Sequence, residues 1–127
     1  MTTTKKSIKG TKTEKNLVIS YMAESAAYSR YMFYATQATK EEYFPIAEVF
    51  TETANNELRH AKVYFKFREG GTLPVDINVD AGVIGTTSEN LLAAAMGENE
   101  EWDVLYKEFA EVAAEEGFPA IAATFKA

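Results

Sequence analysis

Apolar side chains recur every three or four residues along most of the chain, which is the spacing of one face of an α-helix. The first run of apolar positions consists of Leu17, Tyr21, Tyr28, Tyr31, Ala35 and Ala38. Thr11 precedes this run, and Glu14 follows Thr11 by three residues, the pattern of a capping box that satisfies free amide groups at a helix start. Together these signals predict a helix A over residues 11–40.

A second helical repeat follows after a short break. Pro45 suits the first turn of a helix, where the amide group that it lacks would have no partner. The apolar positions beyond it are Ile46, Val49, Phe50, Ala61, Tyr64 and Phe67. Gly70 and Gly71 interrupt the pattern, so we predict a helix B over residues 44–69. Residues 70–86 show no helical spacing and predict a long ordered crossover.

The third repeat begins with another capping box, formed by Thr86 and Glu89. Its apolar positions are Leu91, Ala94, Ala95, Leu105, Phe109 and Val112. They predict a helix C over residues 87–116, and residues 118–127 look like the first turns of a helix D. A short A–B connection followed by a long crossover and then C and D predicts an all-α fold, an antiparallel four-helix bundle with one crossover connection between B and C.

Composition narrows the possible classes of protein. The chain has 127 residues, of which 46% are hydrophobic, so we expect one domain over residues 1–127 with one packed core. A net charge of -6 argues against a nucleic-acid partner. We find neither an apolar run of the ~20 residues needed to cross a membrane nor the apolar centre of a signal peptide, so we expect a cytoplasmic protein and no membrane partner. Because the sequence holds no cysteine, any redox chemistry must use oxygen and nitrogen ligands.

Five side chains that can bind metal occupy the stripes where apolar residues are expected. They are Glu24 in helix A, Glu57 and His60 in helix B, and Glu98 and Glu101 in helix C. An unpaired buried carboxylate is costly in free energy, and these stripes offer no Lys or Arg to balance four acids. We therefore expect metal cations between the helices.

The positions of these residues along the helices agree with that expectation. From a turn near Glu42 the chain runs 18 residues back to Glu24 and 15 residues forward to Glu57. At about 1.5 Å per residue, the two acids lie at similar heights across the hairpin. Glu57 and His60 are three residues apart and share one helix face. A Glu-x-x-His motif opposite a lone Glu is typical of dimetal sites in bundle cores, and such ligands favour iron or manganese over a structural zinc.

Each of these features also has a simpler interpretation. A single His in a helix is more often structural than a ligand, and the acids within 98–101 also suit a solvated charged run. The stripe of tyrosines that includes Tyr31 and Tyr106 suits plain core packing as well as the ordering of ligands through hydroxyl groups. A metal-free helical interaction module is therefore an alternative, and the metal content of the purified protein distinguishes it.

From Lys9 onward the sequence resembles the rubrerythrin family. The segments that carry the resemblance are 9–17, 23–25, 50–54, 57–62, 67–71 and 97–98 together with Glu101. The resemblance implies a ferritin-like fold and a non-haem diiron peroxidase that reduces hydrogen peroxide to water in oxidative-stress defence. Its cofactor would be two iron ions, for which manganese or zinc can substitute. The alternative is a ferritin-like iron-binding protein that oxidises ferrous iron with dioxygen for storage, which would require a hollow shell.

The resemblance also implies roles for the five candidate ligands. Glu24 would be a terminal ligand of the first iron, Glu57 a bridge between the two irons, and Glu98 a ligand of the second iron. Glu101 and His60 would exchange at the first iron as its oxidation state changes. All of these roles are expectations that follow from the family.

Two tyrosines and two partners follow from the same resemblance. Tyr31 and Tyr106 match tyrosines near the metal site, where they would act in catalysis by hydrogen-bonding ligands or peroxide. Because the sequence lacks the paired Cys-x-x-Cys motifs of a rubredoxin module, electrons would come from an external donor such as a rubredoxin. We also expect a homodimer, with exchange of a helix between its subunits as one possible form.

The sequence departs from the family pattern in helix D. Rubrerythrins usually carry a second Glu-x-x-His there. Segments 41–47 and 115–122 are alike, and their isoleucines lie 75 residues apart, which places the counterparts of Glu57 and His60 at positions 132 and 135, beyond Ala127. We expect a truncated form of a longer protein. The alternatives are a helix D supplied by another chain and two A–B hairpins that meet to complete the ligand set.

Overall fold

The computed structural model describes residues 6–78, 82–97 and 100–127, and for residues 97 and 100–102 it describes the backbone alone. Within these ranges all regular structure is helical, which confirms the predicted all-α class. The helices are α1 Lys12–Lys40, α2 Phe44–Lys66, α3 Thr87–Gly97, α4 Glu100–Glu115 and α5 Pro119–Lys126. Among the described residues, no helix is both long enough and apolar enough to span a membrane.

The helices lie close to the predicted positions, with two differences. Helix B ends at Lys66 instead of 69, because the backbone amides of Phe67 and Arg68 already turn back to carbonyl groups three residues earlier, at 3.3 and 3.0 Å. The predicted helix C corresponds to α3 and α4, with residues 98–99 outside the described ranges. In the predicted crossover, the described residues 70–78 and 82–86 form no helix or strand.

A tight reversal joins α1 to α2 and fixes their relative heights. Glu42 has a left-handed backbone with φ of +64°, and the amide of Tyr43 donates to the Ala38 carbonyl oxygen at 2.8 Å. This is the hydrogen-bond pattern that commonly ends a helix. The same reversal recurs after α4, where Gly117 has φ of +87°. The turns that end α1 and α4 thus correspond to the similar sequence segments 41–47 and 115–122.

Both predicted capping residues act at helix starts. The Thr86 side chain accepts from the Glu89 amide at 3.2 Å, and Glu89 accepts from the Thr86 amide at 3.0 Å, so the reciprocal box opens α3 as predicted. At α1, the Thr11 side chain accepts from the Glu14 amide at 3.1 Å. Here the Glu14 carboxylate turns to the amide of Gly10 instead, also at 3.1 Å.

The buried apolar residues form two clusters with a polar gap between them. The first cluster is Ile8, Leu17, Tyr64, Phe109, Ala110, Ala113, Phe118, Ile121, Ala122 and Phe125. The second cluster is Tyr31, Tyr34, Ala35, Ala38, Ala47, Phe50 and Ala54. Along α1, Glu24 falls between Leu17 and Tyr31, and along α2, Glu57 falls between Ala54 and Tyr64. At one height of the bundle, between the two clusters, acidic side chains therefore stand where apolar ones would otherwise pack.

Candidate metal centre

Three of the predicted ligands converge in this gap. Glu24, Glu57 and His60 each offer one ligand atom, and the three atoms lie within 4.8 Å of one another. The Nδ1 atom of His60 is 3.7 Å from Oε2 of Glu24 and 3.7 Å from Oε2 of Glu57. The arrangement arises because α2 presents two heads three residues apart on one face, while the α1–α2 reversal sets Glu24 opposite them.

The three side chains differ in their exposure to solvent. The side chains of Glu24 and Glu57 are 10% and 19% exposed, whereas that of His60 is 58% exposed. The group therefore runs from the interior of the α1–α2 hairpin to its surface. The carboxylates are removed from water, and the imidazole has room to change its orientation.

The two acids are electrostatically unbalanced. Burial, a hydrogen bond with Glu24 and the negative charge of Glu24 raise the pKa of Glu57 to about 8, although His60 opposes the shift. Among the described residues, no Lys or Arg lies within the 4.0 Å of an ion pair with either carboxylate. At neutral pH the pair thus needs either a shared proton or a bound cation.

These donors fit a divalent first-row metal ion. Carboxylate oxygens and a neutral imidazole nitrogen are ligands that suit iron and manganese, and they also accept zinc. One Glu from one helix opposite a Glu-x-x-His from its neighbour is half of the donor set that bundle proteins use for two metals. A bound cation would also remove the repulsion between Glu24 and Glu57, which is the specific imbalance of this site.

The other two predicted ligands are not tested by the structure. Glu98 lies outside the described residues, and Glu101 lies in α4 with only its backbone described. Their roles as ligands stay predictions.

The two predicted tyrosines have different surroundings. The hydroxyl group of Tyr106 donates to Oε1 of Glu24 at 2.8 Å. Burial and then the charge of Glu24 raise the pKa of Tyr106 well above its usual range, so the phenol keeps its proton and remains a donor. Tyr31 is buried in the second apolar cluster, with its ring 6.1 Å from that of Tyr34 and 6.3 Å from that of Phe50. Its role in catalysis stays a prediction.

A third tyrosine, Tyr64, adjoins the site and belongs to the same stripe of tyrosines in the sequence as Tyr31 and Tyr106. Burial and the charge of Glu24 raise its pKa to about 12, and a side-chain hydrogen bond with Tyr106 lowers it in part. Tyr64 follows His60 by one helical turn and Glu57 by two. In the sequence this position suits core packing as well as the ordering of ligands through a hydroxyl group.

The chain is similar to known proteins over most of its length. A family model described as Rubrerythrin matches residues 15–127. The chain is 58% identical over 121 residues to a rubrerythrin of Porphyromonas gingivalis, covering 95% of this chain and 60% of that protein. It is 46% identical over 125 residues to rubrerythrin-1 of Clostridium acetobutylicum, covering 95% and 64%.

A third relative extends the comparison. The chain is 44% identical over 120 residues to a rubrerythrin of Nitratidesulfovibrio vulgaris, covering 94% of this chain and 63% of that protein. The chain therefore spans about three fifths of the length of these curated relatives. A match over most of the chain and identities of this size lead to one conclusion: the chain belongs to the rubrerythrin family.

Proposed function

We propose that this chain carries the diiron centre of a peroxidase that reduces hydrogen peroxide to water in oxidative-stress defence. The observation that supports the proposal is the convergence of Glu24, Glu57 and His60 in a half-closed gap where no Lys or Arg of the described residues balances the acids. Membership of the rubrerythrin family supports the choice of iron and of peroxide.

In this proposal the hairpin of α1 and α2 supplies Glu24, Glu57 and His60 as ligands, and α4 adds Glu101. Glu98 would complete the set at the second metal. Bound iron would supply the two electrons and the Lewis acidity needed to cleave the O–O bond of peroxide. The protein would supply negative charge, fixed geometry and a partly dry environment.

The described residues suggest how that environment works. Tyr106 holds Oε1 of Glu24 by a hydrogen bond, which leaves Oε2, the oxygen nearer His60, to face a metal. His60 is the most exposed of the three ligands, so its imidazole can approach or leave with little repacking. This freedom is consistent with the proposed exchange of His60 with Glu101.

Reduction of peroxide consumes two electrons and two protons per turnover. We propose that the electrons come from a separate donor such as a rubredoxin, and that the active form is a homodimer. The exposed edge at His60 offers a route by which peroxide and water reach the site.

The proposal is tested by loading the protein with ferrous iron under anaerobic conditions and following its oxidation by stopped-flow absorbance. We expect two irons per complete site and a faster reaction with hydrogen peroxide than with dioxygen. Glu57→Gln should abolish both iron loading and reaction, whereas Glu52→Gln, an exposed acid on the same helix, should leave both unchanged.

A rate with peroxide no greater than that with dioxygen would contradict the peroxidase activity. Together with a large hollow assembly in size-exclusion chromatography, it would favour the ferritin-like alternative.

A further inference from the structure

Tyr64 lies on the face of α2 that carries two of the candidate ligands. It follows His60 by four residues and Glu57 by seven, so its side chain comes next along the same stripe. It is 7% exposed and belongs to the first apolar cluster. Among the described residues it is thus the buried aromatic side chain of α2 that comes directly after the ligands.

Its ring is part of a stack built by three helices. The rings of Tyr64 and Tyr106 are 5.8 Å apart with an interplanar angle of 20°, so α2 and α4 meet through this pair. Phe125 of α5 stacks on Tyr64 at 5.4 Å and on Tyr106 at 6.3 Å. Phe109 meets the Tyr106 ring edge-on at 6.2 Å. The plane of the Tyr106 ring is thereby set by its neighbours.

The position of the Tyr106 ring determines the contact of its hydroxyl group with the candidate ligand Glu24. The hydroxyl oxygen of a tyrosine lies on the long axis of its ring, so neighbours that hold this axis in place also fix where the hydroxyl lies. The Tyr106 hydroxyl reaches Oε1 of Glu24 on α1 at 2.8 Å, while Oε2 of Glu24 faces His60 at 3.7 Å. A tilt of the Tyr106 ring would release Oε1 and allow the carboxylate to rotate.

We propose that Tyr64 is a positioning residue of the metal centre, whose ring holds the Tyr106 phenol against Glu24 and so fixes which oxygen of Glu24 is free to bind metal. The inference deepens the proposed function and, where it concerns metal, rests on it. The element that acts in this proposal is the flat ring of Tyr64, which stacks on that of Tyr106 at 5.8 Å, and not its hydroxyl group, although that group also shares a hydrogen bond with Tyr106.

Two variants separate the ring from the hydroxyl. Tyr64→Phe keeps the ring and removes the hydroxyl, whereas Tyr64→Met keeps a similar apolar volume and removes the ring. The first readout uses metal-free protein labelled with ¹³C at glutamate carboxyl groups, in which the Glu24 resonance is identified by its loss in Glu24→Gln. Tyr106→Phe gives the shift of this resonance when the hydrogen bond is absent.

We expect Tyr64→Met to move the Glu24 resonance by at least half of the Tyr106→Phe shift and in the same direction, and Tyr64→Phe to leave it in place. The matched control is Tyr34→Met, which removes a buried ring with edge-on aromatic contacts from the second cluster and should also leave the resonance in place. An unmoved Glu24 resonance in folded Tyr64→Met, or an equal shift in Tyr64→Phe, overturns the proposal.

The second readout is the affinity for Co²⁺, measured by calorimetry and by the visible spectrum of the bound ion. Loss of partners that orient a ligand typically costs 10- to 100-fold in metal affinity, so we expect Tyr64→Met to lose about tenfold and Tyr64→Phe less than about twofold. An unchanged affinity and spectrum in Tyr64→Met would count against the proposal.

These readouts separate the two claims. If the unaltered protein binds no Co²⁺ or iron, the proposed function fails, whereas the carboxyl resonance still tests the positioning by Tyr64. If Tyr64→Met does not fold, Tyr64→Leu, which also removes the ring, takes its place under the same two readouts. An unmoved Glu24 resonance in folded Tyr64→Leu overturns the proposal.

Discussion

Glu41 and Glu116 lie in the turns that end α1 and α4, whereas Glu24 and Glu57 lie in the interior of the α1–α2 hairpin. Glu41 accepts hydrogen bonds from the amide and the hydroxyl of Thr87 at 2.7 and 2.6 Å. These bonds, with one from Gln37, lower its pKa.

Glu41 thus caps the start of α3, and Glu116 caps the start of α1 in the same way. It accepts from the amide and hydroxyl of Thr13 at 2.8 and 2.5 Å and from the Lys12 amide at 3.1 Å. Although burial works against it, these bonds lower the pKa of Glu116. Each turn thus caps a helix that begins in the other half of the chain, and both caps require an ionised carboxylate.

In the interior pair of Glu24 and Glu57, the pKa of Glu57 shifts in the opposite direction. The pKa of Glu57 rises to about 8 because burial and the neighbouring acid Glu24 outweigh the help from His60. A carboxylate that already has enough donors stabilises the fold, whereas one that faces another acid gains from a cation. Donor supply, and not residue type, therefore separates the capping acids of this chain from the candidate metal ligands.

The largest expected effect is on metal binding. Glu57→Gln removes a charged ligand from the three-donor group, and we expect the affinity for Fe²⁺ or Co²⁺ to fall by at least about 100-fold, the upper end of what loss of an outer-shell partner costs. Calorimetric titration of the metal into anaerobic protein measures the change.

The matched control for this variant is Glu116→Gln, which makes the same change of charge at a cap. It should bind metal with unchanged affinity. Equal losses in the two variants would show that net charge, and not the site, governs binding.

The pH dependence of the metal-free protein comes next in size. The pKa of Glu57 is higher in the folded chain than its ordinary value of 4.5, so its contribution to the free energy of unfolding is full below that value and is lost as pH rises through about 8. One pKa unit is worth about 1.4 kcal/mol, but the site is partly open to solvent, so we expect a loss on the order of 1–2 kcal/mol.

Urea unfolding of the metal-free protein between pH 5 and pH 9 measures this loss. Glu57→Gln has no carboxylate to ionise at that position, so its stability should vary less with pH and exceed that of the unaltered protein at the alkaline end. A wild-type stability that rises over this range would contradict the raised pKa.

The sequence predicted the interior pair better than the caps, for a physical reason. The juxtaposition of Glu24, Glu57 and His60 follows from helical spacing and from one short reversal, both of which are local. The contacts of Glu41 with Thr87 and of Glu116 with Thr13 join residues far apart in the chain, and only the packing of the two halves brings them together. Helical periodicity carries no trace of such contacts.

Other features were missed because packing and hydrogen bonding compete with the periodic pattern. The apolar repeat continues to Phe67, yet helix B ends at Lys66, since periodicity reports the buried face and not the last hydrogen bond of the helix. Tyr64 fits a core stripe equally well whether it only packs or also positions a neighbour. Its distinction is its ring contact with Tyr106, which belongs to another helix.

A smaller effect is expected from removal of the hydrogen bond between Tyr106 and Glu24. Tyr106→Phe keeps the stacked ring and removes the donor to Oε1 of Glu24, so we expect about a tenfold loss of Co²⁺ affinity. Calorimetric titration measures it, and Tyr34→Phe, which removes a hydroxyl from the other buried cluster, should change the affinity by less than about twofold. An equal loss in both variants would point to general loosening of the bundle.

The smallest expected effect tests the caps. Glu116→Ala removes the acceptor of three hydrogen bonds and leaves the fully buried Thr13 without it, so we expect the free energy of unfolding at pH 7 to fall by about 1 kcal/mol, typical for loss of a helix cap. Glu115→Ala makes the same change of charge one residue earlier at an exposed position and should change stability by less than about 0.5 kcal/mol.

Measurements of stability at low pH distinguish a capping role of Glu116 from a packing role. The pKa of Glu116 is lower in the folded chain, so its contribution is present above its ordinary pKa and is lost as pH falls through the lowered value. Urea midpoints of the unaltered protein and Glu116→Ala should therefore converge in acid, where Glu116 carries a proton in both the folded and the unfolded chain. A difference between the two midpoints that persists at the lowest pH at which both fold would show that Glu116 acts through packing, and the contrast with Glu57, whose contribution is lost in the opposite direction of pH, would no longer hold.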